Sequence, residues 1–222
     1  MDKPRNKVRI CGVIVAGGQA SRMGYQDKPL VPLAQKPLIE YVIAAASPQV
    51  GQLIISVNRN LDKYTRYSLP LVRDVSAAGA GPLVGIYSAM KWYSNQTVQA
   101  DYLACFPADV PMFPANLVDT LSTAIAATDS SLHNSVREVA WCQTDTQIQP
   151  LFSLWSFKLL AALEQSIHAG VCGPSLFFQN HPSQKVVLPP QDPGMFHNIN
   201  TLEELAQAEK FIAKRTADFN HN

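Results

Sequence analysis

The sequence predicts an α/β fold, with helices layered over a mostly parallel sheet. Three observations lead there. Strand-like runs alternate with runs of helical period through the first half of the chain, the pattern of repeated strand–helix–strand units. Several strands are apolar throughout rather than alternating, as in Val8–Val15, Leu53–Val57 and Tyr102–Phe106, which suits strands covered on both faces. Polar residues stand just beyond such runs, at Asn58, Asp74 and Asp109, where open parallel sheets bind their ligands.

Each element has its own warrant. Val8–Val15 is the first strand, and a loop with Gly17, Gly18, Gly24 and Pro29 follows it. Pro37–Ala46 reads as a helix, with its proline in the first turn. Leu53–Val57 and Leu69–Val72 are the second and third strands. Ala77–Pro82 is small and flexible, and Leu83–Tyr93 is helical. Tyr102–Phe106 is a strand with Asp109 just past its end, and Pro114–Ala127 a helix. Val136–Cys142 and Leu151–Trp155 are strands, and Phe157–His168 a helix. Gly173–Pro193 is Pro-rich and carries a short helix and a strand. Thr201–Lys214 is the terminal helix, where Thr201 and Glu204 have the spacing of a capping box.

The 222 residues show no repeat, low-complexity tract or long linker, so one domain over 1–222 is expected. Composition is that of a globular protein, 47% apolar and 16% charged. The formal net charge is +1, so no strong field recruits nucleic acid or an anionic membrane. Any anionic ligand must be held by a local set of donors. The four cysteines form no C-x-x-C pair and have no cluster of histidines near them, which speaks against a zinc site and for a reducing, cytoplasmic setting. The basic start before Ile10–Ala16 resembles a leader only superficially, since the apolar run is short and ends in Gly17-Gly18. No stretch approaches the ~20 apolar residues of a membrane span.

The first loop holds the densest chemistry. It runs Val15, Ala16, Gly17, Gly18, then Arg22, Met23 and Gly24, then Asp27, Lys28 and Pro29. Adjacent glycines let the backbone approach a ligand and expose its N–H groups. Arg22 can fork onto phosphate oxygens, and Lys28 can act on them as a point charge. Two cations on one glycine loop suit a polyphosphate. The dinucleotide fingerprint G-x-G-x-x-G and the P-loop pattern are both missing, so hydride transfer and P-loop phosphate chemistry have little support. Taken singly, Asp109 before Pro111 is a common turn residue, Asp74 a turn cap and Asn58 a plain strand terminator.

A-G-G-x-x-x-R-M-G followed by D-K-P resembles the signature loop of molybdenum cofactor guanylyltransferases and their nucleotidyltransferase relatives. Further boxes resemble the same family in the same order: Val57-Asn58-Arg59-Asn60, Gly81-Pro82-Leu83-Val84-Gly85, Pro107-Ala108-Asp109-Val110-Pro111, Gln149-Pro150-Leu151-Phe152 and Asn198-Ile199-Asn200-Thr201-Leu202-Glu203-Glu204-Leu205. They span nearly the whole chain. The resemblance implies a three-layer Rossmann-like nucleotidyltransferase fold, with a nucleotide-binding half at about 8–115 and an acceptor-binding half at about 116–222. It implies transfer of GMP from GTP to molybdopterin carrying molybdenum, with pyrophosphate leaving. Val15, Ala16, Gly17 and Gly18 would contact GTP, with Asn58 and Asp74 aiding nucleotide recognition. Arg22 and Lys28 would neutralise the triphosphate, and Asp109 would hold Mg²⁺. Pro82, Leu83, Asn198 and Asn200 are expected on the acceptor side. Transient contacts with proteins of cofactor biosynthesis and insertion are implied as well.

The chain departs from the family pattern at Gly170–Ser175, which lacks the basic residues often found there, leaving Lys185 as one substitute. Val15 stands where leucine is usual, and the order after Asn58 differs. Two other readings keep their place. A cytidylyltransferase acting on molybdopterin or on a sugar or polyol phosphate shares the glycine loop. A non-catalytic cofactor-binding protein would share the fold, although retention of Arg22, Lys28 and Asp109 together argues against it.

Overall fold

A computed structural model of the chain describes residues 8–17, 27–75, 81–97, 99–129, 137–145, 147–190, 192 and 194–219. Gly18 and Arg22 lie outside these residues, as do Ala77–Ala80 and the start of the strand expected from Val136.

The centre is β1 (Ile10–Val15), flanked in parallel by β4 (Leu53–Ser56) and β6 (Tyr102–Pro107). Beyond β4 lies β5 (Leu71–Val72), again parallel. Beyond β6 come β8 (Ile148–Ser156), β7 (Val139–Gln143) and β9 (Gln184–Val187), completing the order β5-β4-β1-β6-β8-β7-β9. Only β8 runs against its neighbours, so the sheet is mostly parallel as expected. The register aligns the carboxyl ends: Val15 lies opposite Ser56 on one side and Pro107 on the other. Backbone bonds continue past those ends, from Ala16 N–H to Ser56 O, Val57 N–H to Val72 O and Ala108 N–H to Val15 O. Four strand-end loops are thereby tied to one edge.

Strand side chains alternate between faces, and each face has its own core. Ile14, Ile55, Phe106 and Phe152 pack in the cluster that includes Ile39 and Val42 of α1 (Leu38–Ala46) and Leu121 and Ile125 of α4 (Leu117–Asp129). Val13, Ile54, Leu103 and Cys105 pack with Ile86 and Met90 of α3 (Pro82–Ser94), Leu163 and Ile167 of α5 (Leu160–His168) and Phe177 of α6 (Pro174–Asn180). These are the helical layers on either side of the sheet.

The structure adds what periodicity missed. Pro32–Leu33 (β2) and Lys36–Pro37 (β3) form a two-residue hairpin, with Ala34 and Gln35 at φ 46° and 72°. Glycine or asparagine usually marks such a turn, and neither is present. Leu61–Tyr64 forms one further helical turn, α2, after Asn60 in the left-handed region. The terminal helix α7 (Leu202–Phe219) begins with the expected capping box: Thr201 Oγ1 accepts from Glu204 N–H at 3.2 Å, and Glu204 Oε2 accepts from Thr201 N–H at 2.9 Å. Its inner face joins Ala208 to Val31, Leu33, Leu38 and Ile199, so it seals the hairpin. Among the described residues no helix is long and apolar enough to cross a membrane.

Candidate active site

The strand-end loops open onto a cleft of about 460 Å³. Val15, Ala16 and Gly17 line it from β1, Ser56, Val57, Asn58 and Arg59 from β4, and Pro107, Ala108 and Asp109 from β6. Asp27 and Lys28 line it too, so both ends of the glycine loop face the cavity. Asp74, Gly81, Pro82, Gly85 and Leu151 complete the wall.

Lys28 is the best-defined element. It starts a short 3-10 turn, Lys28–Leu30, and is only 4% exposed. A buried ammonium is costly unless its protons are taken up. Here all three have acceptors: Asp109 Oδ2 at 2.6 Å, Asn198 Oδ1 at 2.9 Å and Asn200 Oδ1 at 2.5 Å. The lysine charge is thus fixed at the cleft floor by groups 81, 170 and 172 residues away in sequence. The turn behind it is held by Asp27, whose Oδ2 accepts from Asn60 Nδ2 at 2.6 Å and whose carbonyl accepts from Leu30 N–H.

A second unit is Asn58 with Asp74. Asn58 Nδ2 donates to Asp74 Oδ2 at 2.7 Å, and Asn58 Oδ1 accepts from Asp74 N–H at 2.9 Å. The clamp leaves Asp74 Oδ1 buried and without a partner among the described residues. Such an oxygen is a ready acceptor for a ligand's N–H or O–H. Burial pushes the Asp74 carboxyl above its ordinary range, and the Asn58 bond offsets this only in part. A carboxyl raised on folding contributes most below its ordinary value and loses that contribution as pH rises through the raised one. Asp74→Asn is therefore expected to stabilise the protein at pH 7, with no gain near about pH 4. Partial exposure screens the effect, so a rise of about 1–2 °C in Tm is expected. Melting curves at both pH values check it.

The residues expected on the acceptor side separate. Pro82 lines the cleft, but the Leu83 side chain is fully buried in the core between α3 and the sheet. Its N–H is taken by Cys172 O at 3.1 Å. Leu83 therefore presents neither side chain nor free donor to the cleft. Asn198 and Asn200 meet the site as partners of Lys28 rather than as cleft lining. Lys185 stands exposed on β9, outside the cleft wall. Among the described residues, the cation that lines the cleft beside Lys28 is Arg59. Its place directly after Asn58, at a strand end, was the available signal. Asp27 was also missed as a site residue, because an acid beside a lysine usually reads as a solvated pair.

No group of three or more His, Cys, Asp or Glu converges among the described residues, so the protein alone offers no cage. Asp109, which lines the cleft with its side chain 24% exposed, can offer one carboxylate. That fits Mg²⁺, which commonly takes one or two carboxylates and completes its octahedron with phosphates and water.

Known proteins resemble this chain in sequence and in fold. Residues 12–184 match the MobA-like NTP transferase domain. The molybdenum cofactor guanylyltransferase of Shewanella loihica is 35% identical over 206 residues, covering 92% of this chain and 98% of its own. That of Cupriavidus pinatubonensis is 35% identical over 202 residues, covering 90% and 96%. Among solved structures, molybdopterin-guanine dinucleotide biosynthesis protein A from Archaeoglobus fulgidus aligns with a TM-score of 0.73 at 20% identity. The alignment covers 92% of this chain and 99% of that one, a likeness of fold.

Proposed function

The chain belongs to the MobA-like NTP transferase family, and from that premise we propose that it transfers GMP from GTP to the phosphate of molybdenum-bearing molybdopterin. The observation that carries this reading is the buried Lys28 ammonium, held at 2.6 Å from Asp109 on the floor of the strand-end cleft.

An oxygen of the acceptor phosphate attacks the α-phosphorus of GTP, forming a new P–O bond. The bond to the β-phosphate bridging oxygen breaks, and pyrophosphate departs. The protein's work is positioning and charge stabilisation rather than covalent chemistry. Val15, Ala16, Gly17 and Gly18 bring backbone close to the nucleotide. Lys28, with Arg22 on the same loop, stabilises charge on the triphosphate. Asp74 Oδ1 accepts from the nucleoside, and Asn58 holds that carboxylate in place. Asp109 would hold Mg²⁺, which would supply positive charge to the phosphate oxygens. Three carboxylates, of Asp27, Asp74 and Asp109, line the cleft against the two cations Lys28 and Arg59 among the described residues. Triphosphate binding is therefore expected to depend strongly on the metal. Pro82 contributes to the acceptor side. The division into a nucleotide half, about 8–115, and an acceptor half, about 116–222, belongs to the same reading, although Lys28 draws on both. Four free thiols fit a reducing cytoplasm, where transient contacts with cofactor biosynthesis and insertion proteins would occur.

Thermal stabilisation by GTP, CTP and ATP, each with and without Mg²⁺, tests the reading. A nucleotide at about 100 times its Kd stabilises by ~2.7 kcal/mol, a rise of about 5–10 °C. GTP with Mg²⁺ is expected to give that rise, and Asp109→Asn to remove the Mg²⁺-dependent part. A larger shift with CTP would move the protein to the cytidylyl branch. No shift with any nucleotide, with molybdopterin present or absent, would overturn the enzymatic reading.

A further inference from the structure

Two of the three acceptors on Lys28 come from Asn198 and Asn200, on the short segment that leads into α7. Their side chains are useful only if that backbone is fixed. On one side it is fixed by Ile199, whose side chain is fully buried and whose N–H donates to Asp109 O at 3.1 Å. On the other side stands Glu204. A capping box requires the carboxylate to take one N–H, that of the capping residue. Glu204 Oε2 takes two, from Thr201 at 2.9 Å and from Asn200 at 2.6 Å. Asn200 is the residue whose Oδ1 touches the ammonium. Burial pulls the Glu204 carboxyl up, but the N–H of Asn200, the hydroxyl and N–H of Thr201 and the charge of His197 pull it down further. The balance lies below the ordinary range, so the carboxylate is charged at neutral pH.

Helix α7 also grips the segment that carries the lysine. Ala208 and Ile212 pack in the cluster with Val31 and Leu33, and Glu209 Oε1 accepts from Ala34 N–H at 3.1 Å. One helix therefore holds both the turn bearing Lys28 and two of the groups that aim it.

We propose that Glu204 is a positioning residue for Lys28: by binding the Asn200 N–H it sets Asn200 Oδ1 against the ammonium, so the first turn of α7 fixes where the triphosphate-binding charge stands. The inference rests on the proposed role of Lys28 at the triphosphate. A misplacement of about 1 Å in such a group can cost on the order of 10²-fold in rate.

The test is steady-state GMP transfer from GTP to molybdenum-loaded molybdopterin by the full chain. The variants are Glu204→Ala, Glu204→Asp, Glu204→Gln, Lys28→Met and Glu204→Ala combined with Lys28→Met. Glu204→Ala is expected to lower kcat/KM for GTP by about 10- to 100-fold, with KM for the acceptor changed less than about twofold. Glutamine keeps an oxygen that can take both N–H groups, so Glu204→Gln is expected to stay within about threefold of the parent. Aspartate keeps the charge that favours the helix N-terminus but is one methylene short, so Glu204→Asp should fold and lose activity like the alanine variant. In the Lys28→Met background, Glu204→Ala should add less than about twofold.

Additive losses in the double variant, or Glu204→Gln as damaging as Glu204→Ala, would overturn the inference and leave the role of Lys28 standing. Full activity in Glu204→Asp would do the same, even if the alanine variant failed to fold. An unchanged kcat/KM in Lys28→Met would overturn the reading of Lys28, and this inference with it.

Discussion

Lys28→Met is expected to lower kcat/KM for GTP by about 10³-fold, roughly 4 kcal/mol of transition-state stabilisation, while Tm moves by less than about 3 °C. The two expectations follow from one geometry. Methionine keeps most of the volume of the lysine stem in a site only 4% exposed, so packing survives. The groups left behind are not stranded. Asp109 is 24% exposed along its side chain, and Asn198 and Asn200 are exposed residues, so water can replace the ammonium as their partner. What methionine cannot supply is a positive charge. Steady-state kinetics set beside melting curves separate the effects. A loss of activity that merely tracked a loss of folded protein would make Lys28 a structural residue. Lys28→Arg is expected to be impaired as well, because a planar guanidinium cannot point donors at three acceptors gathered round one nitrogen.

The second large effect is expected in stability. Gly81→Ala should lower Tm by about 6–12 °C, corresponding to ~3 kcal/mol. Gly81 precedes α3 at φ 143°, where an L side chain is strained. A Cβ placed there would lie 2.4 Å from Cys172 O, far inside contact distance. That carbonyl cannot simply withdraw, since it accepts the Leu83 N–H. In the first turn of α3, Pro82 has no N–H, and the Leu83 and Val84 donors are already taken by Cys172 O and Gly81 O. Pushing Cys172 away would free a buried donor and tilt the helix whose start forms the cleft wall. Calorimetry or a thermal melt measures the change. A Tm within 2 °C of the parent would mean that the segment around Cys172 yields cheaply.

The α/β architecture was legible because its signals are local. Apolar runs such as Leu53–Ser56 and Tyr102–Pro107 are buried on both faces of a sheet and show it in composition alone. Alternation of strand and helix then leaves few topologies. The capping box at Thr201 and Glu204 was legible for the same reason, as both partners lie within one turn. The β2–β3 hairpin was not, because Ala34 and Gln35 adopt positive φ without the usual residues. The left-handed Asn60 before α2 was no easier to see.

Within the site, the strand ends at Asn58, Asp74 and Asp109 could be found one by one, since each follows an apolar run. Their companions could not. Asn198 and Asn200 read as an acceptor-side motif, yet they reach Lys28 across some 170 residues of chain. Leu83 sits in a box that resembles a family motif, yet its side chain faces the core.

By itself, then, the sequence determined which residue types stand at the carboxyl edge of the sheet and the class of ligand they suit. Periodicity and strand-end position depend only on neighbours in the chain. The tertiary structure alone decided that Lys28 gives its three protons to Asp109, Asn198 and Asn200, that Asp74 keeps one desolvated oxygen, and that Glu204 stands behind Asn200. Those pairings depend on distances between elements far apart in sequence, and such distances exist only once β1, β6 and α7 have packed together.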